Sequence, residues 1–138
     1  MIMRENAHLQ VQLEQAGKVH GHICPSLFYG VSLALRMKER MQDISSPAYE
    51  IILEGKSQCI RDGVRTVLGE DIPVRVESTG QCALTANCPV RQQRCRITIS
   101  PAVRCRINEL NQSLPLEEFK RAGVAYLQSL SERELFGE

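Results

Sequence analysis

The sequence lacks an excess of charge of either sign. Its 17 lysines and arginines nearly balance its 16 aspartates and glutamates, so no global positive field attracts the phosphate backbone of a nucleic acid. The arginine-rich segment at residues 91–106 contains no aromatic residue on which a base could stack. We therefore expect no nucleic-acid partner, and we interpret these arginines as part of a solvated surface.

Long apolar runs are also absent. The longest apolar stretch, residues 23–35, contains Pro25, Ser26 and Ser32 and is shorter than the roughly 20 residues that a bilayer requires. Residues 1–10 include Arg4 and Glu5 and hold no continuous apolar segment, so they do not resemble a secretory signal. We expect no membrane span and a cytoplasmic location.

Internal repeats, low-complexity linkers and signs of a domain boundary are missing as well. A chain of 138 residues, 43% apolar and 24% charged, suits one folded domain over residues 1–138. Such a domain can build a normal core, so its 6 cysteines are not needed as crosslinks. We expect reduced thiols, which favours metal binding or catalysis over disulfides.

The apolar periodicity predicts helices separated by short strands. Helices are predicted at residues 6–18, 25–41, 57–69, 101–110, from residue 113 onward, and as a last turn at 131–136. Strands are predicted at residues 49–53, 72–76 and 95–99, with a break at Ser45-Ser46-Pro47. The last two strands are predicted to pair as a hairpin around a polar loop. The expected fold is α+β, with helices packed on a small, mainly antiparallel sheet.

Two imidazoles and a thiol lie within five consecutive positions, at His20, His22 and Cys24. Gly21 permits the tight backbone that lets neighbouring side chains converge, and nitrogen and sulfur are the ligands that zinc prefers. Any one of these residues alone would be interpreted as a surface histidine or a small core thiol. Their density favours a metal site.

The cluster lies at the start of a predicted helix. Pro25 suits the first helical turn, where its missing N–H is not needed. The dipole and free N–H groups of a helix N-terminus favour negative charge. We therefore predict that Cys24 is unusually thiolate-like and is a candidate catalytic residue.

Residues 19–30, which read Val-His-Gly-His-Ile-Cys-Pro-Ser-Leu-Phe-Tyr-Gly, resemble the His-Gly-His-x-Cys-Pro-Gly-Leu signature of the FmdE family, which takes its name from formylmethanofuran dehydrogenase. A second block resembles the family in the spacing of Glu54, Cys59, Asp62 and Gly69, and so does the ending at residues 131–136. The chain departs from the signature at Ser26, where the family has glycine. After Gly69 it has Glu-Asp-Ile-Pro and a cysteine-bearing loop in place of the usual family segments.

The resemblance implies an α+β core, usually a dimer, with a zinc-capable cleft. In that cleft His20, His22, Cys24 and Cys59 meet. It does not imply formylmethanofuran dehydrogenase activity, because no molybdopterin or iron–sulfur machinery is evident and a fold does not determine a function.

Asp62 lies one helical turn after Cys59, so its carboxylate could face the same cleft. It is predicted either to orient a ligating histidine or to act as a general base. An exposed helix carboxylate is an equally good interpretation. Glu54 and Lys56 have the same two interpretations, with a role in the site modestly favoured by their position at a strand end.

The other cysteines are Cys82, Cys88, Cys95 and Cys105, separated by six, seven and ten positions. These gaps match neither a zinc ribbon nor the common ferredoxin spacings. Cys88 could add a ligand to the first site or form a second metal or iron–sulfur centre with Cys82 and Cys95. The favoured interpretation is loop and core thiols, with Cys95 and Cys105 in the core.

The leading hypothesis is a cytoplasmic, FmdE-like protein with zinc in an open His/Cys site that accepts a small ligand or performs thiol chemistry. One alternative is a non-enzymatic carrier or accessory subunit that passes on a metal or an iron–sulfur cluster. Another is a redox protein in which Cys24 and Cys59 act as a dithiol. The expected partners are a second copy of the chain, a small molecule, or a redox or metalloenzyme partner.

Overall fold

The computed structural model describes the backbone of residues 2–41 and 49–138, and the side chains from residue 8 onward within those ranges. Within them the chain forms six helices and four strands. The elements in chain order are α1 (Ile2–His20), α2 (Pro25–Arg40), β1 (Glu50–Glu54), α3 (Gln58–Leu68), β2 (Val74–Glu77), β3 (Ala83–Cys88), β4 (Gln93–Thr98), α4 (Pro101–Ser113), α5 (Leu116–Gln128) and α6 (Glu132–Phe136). The predicted break at Ser45-Ser46-Pro47 lies outside the described residues.

The four strands form one mixed sheet in the order β2-β1-β3-β4. β1 pairs with β2 in parallel, whereas β3 pairs antiparallel with both β1 and β4. Helices pack against this sheet around one cluster of buried apolar side chains. The predicted α+β class with a mainly antiparallel sheet is confirmed.

The predicted hairpin between residues 72–76 and 95–99 is wrong. Val74 of β2 lies beside Ile51 of β1, and Ile97 of β4 lies beside Leu84 of β3. The segment that we interpreted as a polar loop contains β3, a central strand that is largely buried. This strand has a neighbouring strand on each side and a face packed against the core, and even its Thr85 is buried. A strand that is buried in this way need not alternate apolar and polar residues, so its sequence did not indicate a strand.

Helix α2 is the most buried helix of the core, and it crosses α3 at two glycines. A Cβ atom built on Gly30 would lie 2.1 Å from the carbonyl oxygen of Ile60, and one on Gly63 would lie 2.7 Å from that of Leu27. Only glycine permits backbones to approach this closely. The crossing lies about one turn from the start of each helix, so the first residues of α2 and α3 contribute to one site.

The C-terminal segment is fastened to α2 by charged side chains. Arg36 binds Glu132 at 2.8 Å and also pairs with Glu138, and its guanidinium lies 5.4 Å from the ring centre of Phe136. Ser131 and Glu134 form a capping box at the start of α6.

Among the described helices, none combines the length and the apolar character that crossing a bilayer requires.

Candidate metal centre

The two histidines are brought together by a turn at the end of α1. Gly21 has φ +103°, a conformation that side-chain-bearing residues rarely adopt, and its N–H donates to the carbonyl oxygen of Gly17 at 2.8 Å. The turn places the ring centres of His20 and His22 4.4 Å apart. The helix therefore ends at His20, two residues beyond the predicted end.

Cys59 lies in the first turn of α3, as predicted, and its side chain is close to the histidines. The Ser57 hydroxyl caps this helix by accepting a hydrogen bond from the Cys59 N–H at 3.1 Å. The Cys59 Sγ lies 2.9 Å from His20 Nε2 and 3.8 Å from His22 Nε2. Ligand atoms of all three residues lie within 4.8 Å of one another, so the chain contains a His/Cys group that could hold a metal ion.

Asp62 contacts the far side of the His20 ring. Its Oδ2 forms a hydrogen bond with His20 Nδ1, and its Oδ1 accepts a hydrogen bond from Gln58 at 2.8 Å. A carboxylate at Nδ1 keeps the proton on that nitrogen and leaves the Nε2 lone pair for a metal. Of the interpretations weighed for Asp62, this contact favours the orientation of a histidine.

The chemical environment of His22 suits a neutral imidazole. Loss of solvent around the ring lowers the pKa of His22, and the nearby charges of His20 and Lys120 lower it further. A neutral ring keeps a lone pair available for a metal at neutral pH. Lys120 belongs to α5, so this helix also approaches the site.

Cys24 lies beside Cys59 but outside the group of three mutually close ligand atoms. It is only 7% exposed. Burial is the main reason that the pKa of Cys24 is raised to about 11, and the neighbouring Cys59 raises it as well. The backbone N–H groups of Leu27 and Ser26 act in the opposite direction and lower it. The prediction of a thiolate-like Cys24 is therefore wrong for the metal-free chain, because burial outweighs the helix N-terminus.

Glu54 and Lys56 do not contribute to the His/Cys group. The Glu54 carboxylate binds Arg96 at 2.8 and 3.1 Å and accepts a hydrogen bond from Thr79 at 2.9 Å. The Arg96 hydrogen bonds lower the pKa of Glu54. Lys56 is exposed just before α3, where it lines a cavity next to the His/Cys group.

The other cysteines are dispersed over the fold. Cys82, just before β3, and Cys88, at its end, are both buried, and the strand separates them by about 20 Å. They cannot share one iron–sulfur cluster with Cys95. Cys105 is exposed on α4 and Cys95 is half-buried on β4, so the prediction of a core position is wrong for Cys105, which lies on the solvent side of its helix.

Sequence reasoning missed the residues around the adjacent cavity, among them Tyr29 and Arg104. Tyr29 lies in an apolar helix whose pattern indicates core packing. Arg104 lies in a segment that we interpreted as solvated surface. Only the resemblance in residues 19–30 could have drawn attention to Tyr29, and no local pattern distinguishes Arg104 from its neighbours.

Comparison with known proteins supports the resemblance over most of the chain. No curated protein matches it. The family model described as "FmdE, Molybdenum formylmethanofuran dehydrogenase operon" matches residues 19–136. The matched range includes all of the candidate ligands and extends through the middle segment, where the chain departs from the usual family pattern. The chain therefore belongs to the FmdE family.

Proposed function

We propose that this FmdE-family protein is a cytoplasmic metalloprotein that binds one zinc ion at the cluster of His20, His22, Cys24 and Cys59. The observation that carries the proposal is the convergence of three nitrogen and sulfur ligand atoms within 4.8 Å. This donor set suits zinc better than magnesium or calcium, which prefer oxygen ligands. The six cysteines are unpaired, which supports a reducing compartment.

The side chains around the donors fit a metal site. Asp62 on Nδ1 orients His20 so that Nε2 faces Cys59, and His22 has a lowered pKa. Cys24, with a pKa of about 11, keeps its proton at neutral pH unless a metal displaces it. Cys24 is thus either a fourth ligand or a protonated thiol beside an open coordination position.

When bound, zinc would act as a Lewis acid towards an oxygen-bearing group of a ligand. The protein's own contribution is to orient His20, to hold a proton on its Nδ1 through Asp62, and to place the Cys24 thiol next to the reacting group. Cys24 is therefore the candidate catalytic residue of an open site, and Asp62 is a positioning residue that acts through His20.

Metal analysis of protein purified without oxygen tests the ligand set. We expect about one zinc per chain in the wild type and its loss in Cys59→Ser and His20→Gln, because each removes one of the converging donors. Cys105→Ser and His8→Gln are matched controls, since both residues are exposed outside the site, and they should keep the metal. Full zinc content in Cys59→Ser would refute the proposal.

Cys24→Ser distinguishes the two forms of the site. Loss of zinc identifies Cys24 as the fourth ligand of a closed site. Retention of zinc shows a three-ligand site with an open position, where catalytic zinc typically binds water or substrate. The absorption spectrum of the cobalt-substituted protein, which depends on the number of bound thiolates, provides a second measurement of the same difference.

Two alternatives are supported by single observations. The Cys59 thiol lies close enough to Cys24 to raise the pKa of Cys24, which favours a dithiol redox role. A Cys24–Cys59 disulfide formed by mild oxidant in zinc-free protein would support it.

His22 is exposed, which favours a carrier that exchanges metal with a partner. Rapid transfer of zinc to a second metalloprotein would support that role.

The homodimer implied by the family resemblance also remains a proposal. Light scattering coupled to size-exclusion chromatography measures the mass in solution, and a mass of one chain at working concentration would refute it.

A further inference from the structure

A cavity of about 370 Å³ adjoins the candidate metal centre. Its volume is in the lower part of the roughly 300–1,000 Å³ range of small-molecule sites. Pro25 and Ser26, which follow Cys24, form part of its wall, and so do Ser57 and Ile60 on either side of Cys59 in sequence. The cavity and the metal centre therefore share the starts of α2 and α3.

The described lining of this cavity carries positive charge and no negative charge. Lys56 and Arg104 contribute to it, and none of the described lining residues is aspartate or glutamate. Outside the lining, the Glu54 carboxylate acts on Cys82 and accepts a hydrogen bond from Thr79. Arg96 pairs with this carboxylate through two hydrogen bonds. A ligand in this space would meet two cations, and the carboxylate bonded to the lining is already paired with Arg96, which favours an anion.

Tyr29 presents an unpartnered hydroxyl to the cavity, near Arg104. The residue is only 6% exposed and lines the cavity, and its buried hydroxyl has no hydrogen-bond partner in the part of the chain that the structure describes. Arg104 and Cys82, two other lining residues, interact electrostatically with this hydroxyl. A buried hydroxyl without an acceptor is unfavourable, so an oxygen acceptor in the cavity would satisfy it.

Arg104 is held at the cavity wall with donors to spare. Its Nη1 donates to the carbonyl oxygen of Gly80 at 3.0 Å, and a guanidinium has five N–H donors. Asn108 and Asn111 also line the cavity and follow Arg104 by four and seven residues on α4, so the three side chains share one helix face. On that face the guanidinium of Arg104 can bind an anion through two parallel hydrogen bonds, and the two asparagine amides can bind hydroxyl or carbonyl groups.

We propose that the cavity binds a small organic anion through a carboxylate or phosphate group held by Arg104, Lys56 and the Tyr29 hydroxyl. The rest of the ligand extends towards Cys24 and Cys59. This inference rests on the proposed function, because it names the chemical class of ligand that the metal centre would act on.

Calorimetric titration tests the charge requirement. The charged probes are succinate, citrate and glycerol phosphate, and the matched neutral probes are succinamide and glycerol. We expect at least one charged probe to bind the wild type and its dissociation constant to rise about tenfold or more in Arg104→Gln, through loss of a charged hydrogen bond. The carboxylate and phosphate arms show which group the site prefers.

Arg106→Gln is the matched control. Arg106 lies on the same helix, pairs with Glu109 at 3.2 Å and is exposed, so its removal should leave binding unchanged. Tyr29→Phe should weaken binding severalfold without loss of stability, because its hydroxyl has no partner among the described residues. Equal affinities of the two arginine variants, equal binding of charged and neutral probes, or no binding of any charged probe would overturn the inference.

Zinc-free Cys59→Ser separates this inference from the proposed function. Anion binding by the Arg104 side of the cavity should persist in that variant. Zinc binding without anion binding refutes the anion site alone, whereas anion binding in a wild type that takes up no zinc refutes the metal site alone.

Discussion

At the scale of single residues, Cys24 shows how two opposing effects compete. N–H groups at the start of α2 lower the pKa of Cys24, but burial raises this pKa by more than they lower it. The thiol of metal-free protein is therefore protonated at neutral pH. A bound metal would reverse this balance, because a thiol that ligates zinc loses its proton.

The contact of Asp62 with His20 yields a residue-scale prediction. Asp62→Asn should weaken zinc binding by about 10–100-fold, the usual effect of removing a carboxylate that orients a ligating histidine, while stoichiometric binding persists at high zinc. Competition with a chromogenic chelator measures the affinity. Asp71→Asn is the control, because Asp71 is an exposed aspartate outside the site. Equal affinities of the two variants would show that Asp62 does not orient His20.

At the scale of elements, the crossing of α2 and α3 positions Cys24 and Cys59. Each helix supplies one glycine to the crossing, and each glycine contacts the backbone of the other helix. The crossing also explains why residues 35 positions apart in sequence lie side by side. A change in helix spacing should therefore affect stability and the metal site together.

Gly30→Ala tests this coupling. Alanine alone would favour a helix by about 1 kcal/mol, but its Cβ would overlap the Ile60 carbonyl oxygen, and such overpacking typically costs about 1–3 kcal/mol or more. We expect a net decrease in the free energy of unfolding, measured by urea denaturation, and weaker zinc binding. Lys38→Ala, at an exposed position of α2, should change neither. An unchanged or increased stability of Gly30→Ala would contradict the close crossing.

At the scale of the whole molecule, stability should depend on the ion pair that Glu54 of β1 forms with Arg96 of β4. The pKa of Glu54 is lowered from its ordinary value of 4.5, chiefly by hydrogen bonds from Arg96. Its stabilisation is therefore fully present above about pH 4.5 and is lost as the pH falls through the lowered folded-state pKa. Because Arg96 is 41% exposed, solvent limits the contribution to about 0.5–1 kcal/mol.

Urea denaturation from neutral to acidic pH measures this contribution. Glu54→Gln should be less stable than the wild type at neutral pH, and the difference should vanish at low pH. Glu50→Gln is the control, since Glu50 and its partner Arg75 are both more exposed and lie 3.4 Å apart. A difference between Glu54→Gln and the wild type that does not change with pH would contradict the assigned role of the carboxylate.

Much of the helical architecture could be predicted from sequence, because helix periodicity and capping are local. The start of α2 at Pro25 and the end of α3 before Gly69 agree with the prediction. Strand pairing is not local, since any strand can pair with several others. The pairing of β2 with β1 and the central position of β3 were therefore mispredicted.

The amino-acid sequence by itself determined that His20 and His22 lie together at a helix boundary, because Gly21 and Pro25 act on their immediate neighbours. The family resemblance added Cys59. Only the tertiary structure decided that Asp62 contacts Nδ1 of His20, that burial protonates Cys24, and that Tyr29 and Arg104 share a cavity. These properties depend on contacts between distant segments, and such contacts exist only once the helices and the sheet have packed.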